Sequence, residues 1–454
     1  MPYPATERIA RFTTQMEFAD VPSAAVETAK IGLRDCLGVS LAGSADEAGS
    51  IAAGLARAEG AREETSVIGH GFRTSAQQAA FANGVAAHAL DYDHSFWSGG
   101  QPTAPVIPAA MAMAEAVSAD GRELLTAYAI GFEVTAKISR SLYTTVQHAW
   151  HAPGNMGLLG ATAACARLAG LSTDQTRYAL GMAVSMAGGV EANFGTMTKP
   201  LHVGQAARNA VVAAKLASAG FTANPEAIES HAGYYDAYYR VATEDDSPLD
   251  ELGTRWDLAE SGLRIKPYPC GGLAHTAIDA ALALRASEFA DGGGMDTIET
   301  VDVEVTDRTF ERIVVGVPRT ELEAKFSMPY LIARALVDGR VGLDAFTDEA
   351  ISDARVLAVA RRVTMRLGAG LKSTTSGRPS VVSVRLRDGR TLTQRVGAPK
   401  GGEASPMTPE ELRAKFDECA ARVLSPAAAD GVARAIQGLD EGTDVGRLAA
   451  LLRA

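Results

Sequence analysis

The pattern of apolar and polar positions changes twice along the chain. Up to about residue 260, apolar residues recur at helical spacing and no segment alternates convincingly. A short strand or loop is expected at 64–68. We predict helices over residues 22–41, 47–58, 75–90, 105–117, 121–142, 156–168, 172–187 and from Pro200 to near Gly220, with Ser172 as an N-cap. Residues 1–265 are therefore predicted to form a helical domain.

The pattern changes after Lys266, where prolines and glycines interrupt the chain. Residues 297–305 alternate between apolar and polar, as a half-buried strand does. Two further strands, 380–386 and 391–396, flank Asp388-Gly389, which predicts a hairpin with a tight primed turn. Helices are predicted at 275–287, at 323–337 and once or twice within 348–367. Residues 266–400 are thus predicted to form an α+β domain.

Helical signals return near the C-terminus. Thr408-Pro409-Glu-Glu is a typical helix start, and residues 401–454 are predicted to be helical. The predicted fold class is therefore mainly α, with a smaller α+β segment between two helical ones. A length of 454 residues is consistent with two or three domains.

Composition narrows the functional classes. A net charge of -11 argues against binding nucleic acid through a basic surface, so an anionic substrate would need a local basic site. No leader or membrane-spanning segment is predicted, and a cytoplasmic protein without a membrane partner is expected. The cysteines are far apart and lack metal-ligand spacing, which favours reduced thiols. Those cysteines are Cys36, Cys165, Cys270 and Cys419.

Candidate chemistry lies in four loops at predicted helix boundaries, namely residues 91–102, 148–155, 196–202 and 265–272. Loops held by rigid helices often carry functional groups, and we expect these four to converge. Their polar side chains are Asp91, Asp93, His94, Gln101, His151, Asn155, Thr198, Lys199, His202 and Lys266.

Lys199 is the first candidate, because Pro200 suits a helix start and biases the preceding residue towards an extended conformation. Its amine is expected on a loop just ahead of a helix N-terminus, where anions bind. A surface lysine before an ordinary helix is the alternative. His151 could act as base or acid near neutral pH, or be a hydrogen-bonded loop histidine. His202 could line a site or be a core histidine.

The remaining candidates have structural alternatives too. Asp91 and Asp93 could be turn residues, and they lack a further ligand at a spacing diagnostic of metal, so no metal is predicted. Cys270 is expected to be a buried thiol. Arg319 could bind a carboxylate or lie on a helix surface. The chain has no GxSxG, P-loop, HExxH or dinucleotide fingerprint, so no cofactor is predicted.

Six stretches carry a resemblance to a known family. They are HALDYDHS (88–95), QPTAPVIPAA (101–110), WHAPGNMGLLGATAA (150–164), FGTMTKPLHVGQAARNAV (194–211), IKPYPCGGLAHTAID (265–279) and RTELEAKFSMPY (319–330). In this order they resemble the MmgE/PrpD family, which includes 2-methylcitrate dehydratase, cis-aconitate decarboxylase and iminodisuccinate epimerase. The resemblance implies a large all-helical domain, built from the N-terminal part plus the C-terminal helices, with a smaller α+β lid inserted. It also implies a homodimer without metal or organic cofactor and an active site between the domains.

The resemblance also implies site residues. These are Asp91, Ser95, His151, Lys199, Lys266 and Tyr330. Gln101 and Gly271 depart from the pattern. The decarboxylase and many dehydratases have a histidine at the first position, the decarboxylase has one at the second, and glutamine cannot titrate. The departures argue against cis-aconitate decarboxylation and weaken a direct assignment to 2-methylcitrate.

The leading hypothesis is a cofactor-independent, dehydratase-type lyase that abstracts a proton next to a carboxylate of a small polycarboxylic acid. Lys199 and His151 would exchange protons, Asp91 would orient a base or contact a substrate hydroxyl, and Lys266 and Arg319 would bind carboxylates. Further substrate-binding candidates are Ser95, Gln101, Thr198, His202 and Tyr330. One alternative is an epimerase or isomerase of a dicarboxylate resembling iminodisuccinate. The other is a family member that only binds its ligand.

Overall fold

The structure is a computed structural model that describes residues 3–96, 98, 100–142, 149–240, 247–260, 262–289, 294–314, 316–374 and 377–453. It is 60% helical and 9% strand, which confirms the predicted mainly α class. The chain forms two compact units. The first comprises Met1–Leu263 and Glu410–Ala454, and the second comprises Arg264–Pro409.

The N-terminal part of the first unit is helical. Its helices are α1 (Ala5–Gln15), α2 (Ser23–Ser44), α3 (Glu47–Ala58), α4 (Ala76–Ala89), α5 (Thr103–Val117), α6 (Gly121–Ser141), α7 (Ala152–Leu168), α8 (Thr173–Met186), α9 (Thr198–Ser218), α10 (Ser247–Asp250) and α11 (Asp257–Glu260). A two-stranded ribbon pairs β1 (Thr65–Ser66) with β2 (Arg73–Thr74). The predicted cap at Ser172 is confirmed, since its hydroxyl accepts from the Gln175 N–H at 3.2 Å.

Helix α1 and the start of helix α7 differ from the prediction. Helix α1 was not predicted, because its eleven residues carry few large apolar side chains; Phe12 packs against Trp256, with ring centroids 5.9 Å apart. Helix α7 begins at Ala152, four residues earlier than expected, because proline is tolerated in the first turn, where the backbone N–H has no intrahelical partner. Pro153 occupies that turn.

Helices α4 and α9 cross at two glycines. A Cβ added to Gly84 would lie 2.8 Å from the Cα of Gly204, and one added to Gly204 would lie 2.6 Å from the carbonyl oxygen of Phe81. The backbones touch, so no side chain fits between them. This close approach positions the ends of α4 and α9 that carry the candidate site.

Replacing Gly84 by alanine should destabilise the protein by about 1–3 kcal/mol, because the added methyl group meets backbone that cannot yield as a side chain would. The matched control is Gly54→Ala in α3, where an added Cβ has no atom within 4 Å. That control should gain about 0.5–1 kcal/mol from helix propensity. Denaturant unfolding measures the free energy of unfolding of both variants. An equal change in Gly84→Ala and Gly54→Ala would contradict the close contact between the α4 and α9 backbones.

The second unit combines a four-stranded sheet with helices. Its elements are α12 (His275–Glu288), β3 (Ile298–Val305), α13 (Asp307–Arg312), α14 (Glu321–Ala324), α15 (Met328–Asp338), α16 (Asp348–Ile351), α17 (Ala354–Ala360), β4 (Val363–Leu367), β5 (Ser380–Leu386) and β6 (Thr391–Val396). The strand order is β4-β3-β5-β6, with β3 and β4 parallel and the other neighbours antiparallel.

Three predictions for this unit need correction. The helix predicted at 323–337 is two helices, because Ser327 caps α15 by accepting from the Tyr330 N–H at 3.3 Å. Residues 363–367 are strand β4 and not helix. The hairpin is confirmed, but its turn is not of the primed type, because Gly389 has φ +91° while Asp388 lies outside the left-handed region.

The C-terminal helices belong to the first unit. They are α18 (Pro409–Ala420), α19 (Pro426–Gln437) and α20 (Val445–Leu451). A Cβ on Gly38 of α2 would lie 2.9 Å from the Phe416 ring, which shows how closely α18 packs on α2. All four cysteines are free and buried, as expected for Cys270. Among the described residues, no helix is both long and apolar enough to cross a bilayer.

Candidate active site

Lys199 and Asp91 form a buried ion pair in the first unit. The Lys199 Nζ lies 2.5 Å from Asp91 Oδ1, and their side chains are 10% and 8% exposed. Lys199 lies within the first turn of α9, so the predicted extended loop conformation is wrong. The first turn tolerates Pro200, and the helix can therefore start before it.

Asp91 follows α4 in an unusual backbone conformation. Its φ of +51° lies in the left-handed region, which is sparsely populated by residues other than glycine. Two residues on, Asp93 Oδ1 accepts a hydrogen bond from Nδ1 of His88 at 2.9 Å. His88 lies in the last turn of α4, and its Nε2 has no hydrogen-bond partner among the described residues. The end of α4 thus presents two carboxylates and a histidine.

His151 stands at the N-cap position of α7 and is 3% exposed. Its backbone N–H donates to the Gly189 carbonyl at 2.9 Å, which brings the start of α7 beside the loop leading to α9. Its Nδ1 lies 3.2 Å from Nδ1 of His202. Gly189 has φ +93°, and a Cβ there would lie 2.8 Å from the His202 ring, so only glycine fits.

The His151 ring packs against two other histidine rings, both tilted relative to it. The centroid of His151 lies 5.1 Å from that of His88 and 5.3 Å from that of His202. Burial, followed by the charges of His88 and Lys199, lowers the pKa of His151 well below its usual range. Burial likewise lowers the pKa of His88 and of His202. The cluster is therefore neutral near pH 7, beside a charged lysine.

Phe194 covers both of the main candidates. Its ring centroid lies 5.0 Å from that of His151 in an edge-to-face arrangement, and the Lys199 Nζ lies 5.7 Å from the same ring. Phe194 itself is 38% exposed. An apolar side chain thus separates the buried groups from water and strengthens their electrostatic interactions.

The described residues include one group with the donor set of a cation site. Ligand atoms of His88, Asp91 and Asp93 lie within 4.8 Å of one another, and oxygen and imidazole ligands suit several divalent metals. Asp91 Oδ1, however, already contacts the Lys199 ammonium at 2.5 Å. A metal would have to compete with that fixed positive charge, so the residues do not favour one.

The histidine cluster predicts acid-sensitive stability. The folded-state pKa of each histidine lies below the unfolded value of 6.5, so the unfolded chain binds more protons at acidic pH. The contribution of the three histidines to the free energy of unfolding is therefore fully present above pH 6.5. It is lost as the pH falls through their lowered folded-state pKa values. Urea unfolding between about pH 5 and pH 7.5 should show this decline, and His151→Gln should flatten it. If the unfolding free energy fell equally steeply with pH in the unchanged protein and in His151→Gln, the lowered pKa of His151 would be contradicted.

Other predicted site residues of the first unit lie on the same segments. Thr198 begins α9, and its N–H donates to Oγ1 of Thr196 at 3.2 Å. Ser95 and Gln101 are partly buried in the segment between α4 and α5. The structure brings Asp91, Lys199, His151 and His202 together. Substrate contacts of Ser95, Gln101 and Thr198 stay predictions.

Three predicted residues belong to the second unit. Lys266 is 5% exposed, and Arg319 is exposed, with its N–H bonded to Glu323 Oε2 at 2.8 Å. Tyr330 is fully buried, and its hydroxyl donates to the Ala345 carbonyl and accepts from Nε of Arg334 at 2.9 Å. Their roles as substrate ligands stay predictions.

His88 was not predicted as a site residue. It lies inside a helix, where an apolar surrounding made it look structural. The signal that could have found it is its spacing of three residues from Asp91 at a helix end, since residues three apart lie on one helix face.

Comparisons with known proteins match nearly the whole chain. The model of the MmgE/PrpD N-terminal domain matches residues 7–245, and that of the MmgE/PrpD C-terminal domain matches residues 268–441. Cis-aconitate decarboxylase of Mus musculus is 27% identical, covering 99% of this chain and 93% of the relative. The Homo sapiens enzyme is 28% identical, covering 99% and 94%. The Aspergillus terreus enzyme is 26% identical, covering 85% and 83%.

Proposed function

Because the chain belongs to the MmgE/PrpD family, we propose that it is a cofactor-independent lyase acting on a small polycarboxylic acid. The observation that carries the proposal is the buried Lys199–Asp91 pair beside three neutral histidines. Such a set supplies both a proton acceptor and a fixed cation, which a reaction next to a carboxylate requires. Helices α7 and α9 also direct their N-termini to this site, which favours an anion.

His151 is the proposed base. Its lowered pKa keeps it neutral, and its Nε2 has no hydrogen-bond partner among the described residues. If its Nδ1–H donates to Nδ1 of His202, the lone pair resides on Nε2. That nitrogen would remove the proton on the carbon next to the substrate carboxylate, and the C–H electron pair would move into that carboxylate.

Lys199 is the proposed cation and acid. Its ammonium stabilises the negative charge that develops on the carboxylate, and Asp91 holds the ammonium in place. As the electron pair returns to form the alkene, the C–O bond to the neighbouring hydroxyl breaks. Lys199 donates a proton to that oxygen, which leaves as water. The enzyme is restored when the proton on His151 is released to solvent and Lys199 takes up a proton from solvent.

Position 271 argues against decarboxylation, because the resemblance places a histidine of the decarboxylase there. Gln101 cannot titrate, so no acid or base role is assigned to it. A Cβ at Gly271 would lie 2.9 Å from Cδ1 of Phe326, so a histidine does not fit there unless that ring moves. The relatives named cis-aconitate decarboxylase make that reaction the natural comparison, and cis-aconitate belongs in the substrate panel.

Epimerisation of a dicarboxylate is the second candidate. His151 and Lys199 both contact Phe194, so two proton-handling groups border one apolar surface. If they faced opposite sides of one carbon, the proton removed by one would be replaced by the other without loss of water.

A substrate panel in D₂O tests the proposal. Di- and tricarboxylates, hydroxy acids and cis-aconitate are incubated with the protein and followed by NMR, alkene absorbance and CO₂ release. Deuterium incorporation with a new alkene supports the dehydratase, and incorporation without one supports the epimerase. CO₂ release would replace dehydration by decarboxylation. Tight binding of a carboxylate without exchange or product would indicate a ligand-binding member.

We also propose a homodimer in the cytoplasm, with Lys266 and Arg319 binding substrate carboxylates. Sedimentation at several protein concentrations tests the dimer. Lys266→Gln and Arg319→Gln should raise KM, whereas an unchanged KM would remove these residues from the site.

A further inference from the structure

Successive residues of the segment 91–94 contact two different sets of side chains. Asp91 and Asp93 pair with Lys199 and His88, which belong to the candidate site. The residues between and after them, Tyr92 and His94, contact a separate set of buried groups. The two aspartates therefore serve the site, whereas the residue that follows each of them is available as an anchor.

Lys415 of α18 is the centre of that second set. It is 5% exposed, and its Nζ donates to the Tyr92 carbonyl at 2.9 Å. The same Nζ lies 2.5 Å from Asp35 Oδ1 and 4.1 Å from the centroid of the Tyr92 ring. One ammonium thus contacts the backbone and the ring of a residue that lies directly between the two site aspartates.

Asp35 and His94 extend the anchor into the helical core. Nδ1 of His94 lies 3.1 Å from Asp35 Oδ2, and its Nε2 is bonded to Oγ1 of Thr103. Thr103 Oγ1 in turn lies 2.8 Å from the Tyr128 hydroxyl. Burial alone raises the pKa of Asp35, but Lys415 and His94 outweigh it and lower the pKa, so the carboxylate stays charged. Helices α2, α5, α6 and α18 all hold the segment.

We propose that Lys415 is a positioning residue that holds Asp91 in its left-handed conformation and so presents Asp91 to Lys199. Lys415 acts on the site through its contacts with the backbone and ring of Tyr92 and is not itself catalytic. A left-handed aspartate persists only where its surroundings fix it, and the Lys415 bond to the next carbonyl is the fixing contact. The expected effect of Lys415 on turnover rests on the proposed function. Its effect on the conformation of residues 91–94 does not.

The test is Lys415→Met in the full-length protein. Hydrogen exchange of the peptide covering residues 88–96 should become about tenfold faster, because a charge-assisted bond to Tyr92 is lost. The kcat should fall about 100-fold with little change in KM, as expected when a catalytic group is misplaced. Lys415→Arg, which keeps a cation, should restore part of the slow exchange of residues 88–96 and part of kcat. Native exchange in Lys415→Met would overturn the proposal, and so would an unchanged kcat once substrate is known.

The matched control is Lys137→Met in α6. Lys137 is also fully buried and pairs with Asp257 at 2.6 Å and Glu133 at 3.3 Å, but none of its contacts involves residues 91–94. It should lose stability while exchange of 88–96 in the folded protein stays native. If it speeds that exchange as much as Lys415→Met does, the effect is general destabilisation and the proposal fails.

A double variant covers the case in which Lys415→Met does not fold. Asp35→Asn with Lys415→Met removes both charges, so no buried carboxylate is left uncompensated. It should fold and still show fast exchange of 88–96, whereas native exchange would overturn the proposal. If Lys199→Met left turnover undiminished, the proposed function would fail, yet the exchange result would still decide whether Lys415 positions the segment.

Discussion

Replacing Lys199 by methionine should reduce kcat/KM by about 1,000-fold or more, one of the two largest effects expected of a single substitution in this chain. Methionine keeps the length and the apolar stem of the side chain but removes the charge that lies 2.5 Å from Asp91. The measurement is steady-state turnover of whichever panel substrate reacts. Undiminished turnover would exclude Lys199 from the chemistry.

A companion variant separates chemistry from folding. Lys199→Met leaves the buried Asp91 carboxylate without its cation, which destabilises the folded state. Adding Asp91→Asn removes that charge as well, so the double variant should recover stability but not turnover. Recovery of turnover would show that the single variant was inactive because it was unfolded.

His151→Gln should reduce turnover by about 100- to 10,000-fold, the range typical for the loss of a general base. Glutamine fills a similar volume and hydrogen bonds, but it cannot accept the substrate proton. The pattern of deuterium exchange then assigns the two roles. With His151 as the base, His151→Gln should lose both exchange and product, whereas Lys199→Met should lose product more severely than exchange. The reverse pattern would make Lys199 the base.

Local signals in the sequence predicted most of the helical unit and the hairpin of the second unit. Ser172 begins α8 as expected, and strands β5 and β6 occupy the predicted residues. Strand β4 was mistaken for helix because its apolar residues continue the helical spacing of α17. What decides its conformation is pairing with β3, where Val363 lies opposite Val301, and that partner is distant in sequence.

The sequence was enough to predict which loops carry the candidate site, but not the contacts among its side chains. The motif residues Asp91, His151 and Lys199 do meet, as the co-linear stretches suggested. The contacts of His151 with His88 and with His202 depend on how α4, α7 and α9 pack together. The crossing of α4 and α9 depends on backbone contact between Gly84 and Gly204, and no spacing along one segment encodes it.

The division of the helical unit along the chain has a consequence for biosynthesis. A ribosome releases Met1–Leu263 and then all of Arg264–Pro409 before α18 emerges. Lys415, which pairs with Asp35 and binds the Tyr92 carbonyl, is therefore made only after the whole second unit. Contacts between residues this far apart form late because the intervening chain must first be ordered. The segment 91–94 therefore acquires its native anchor only after the second unit and α18 have both been synthesised.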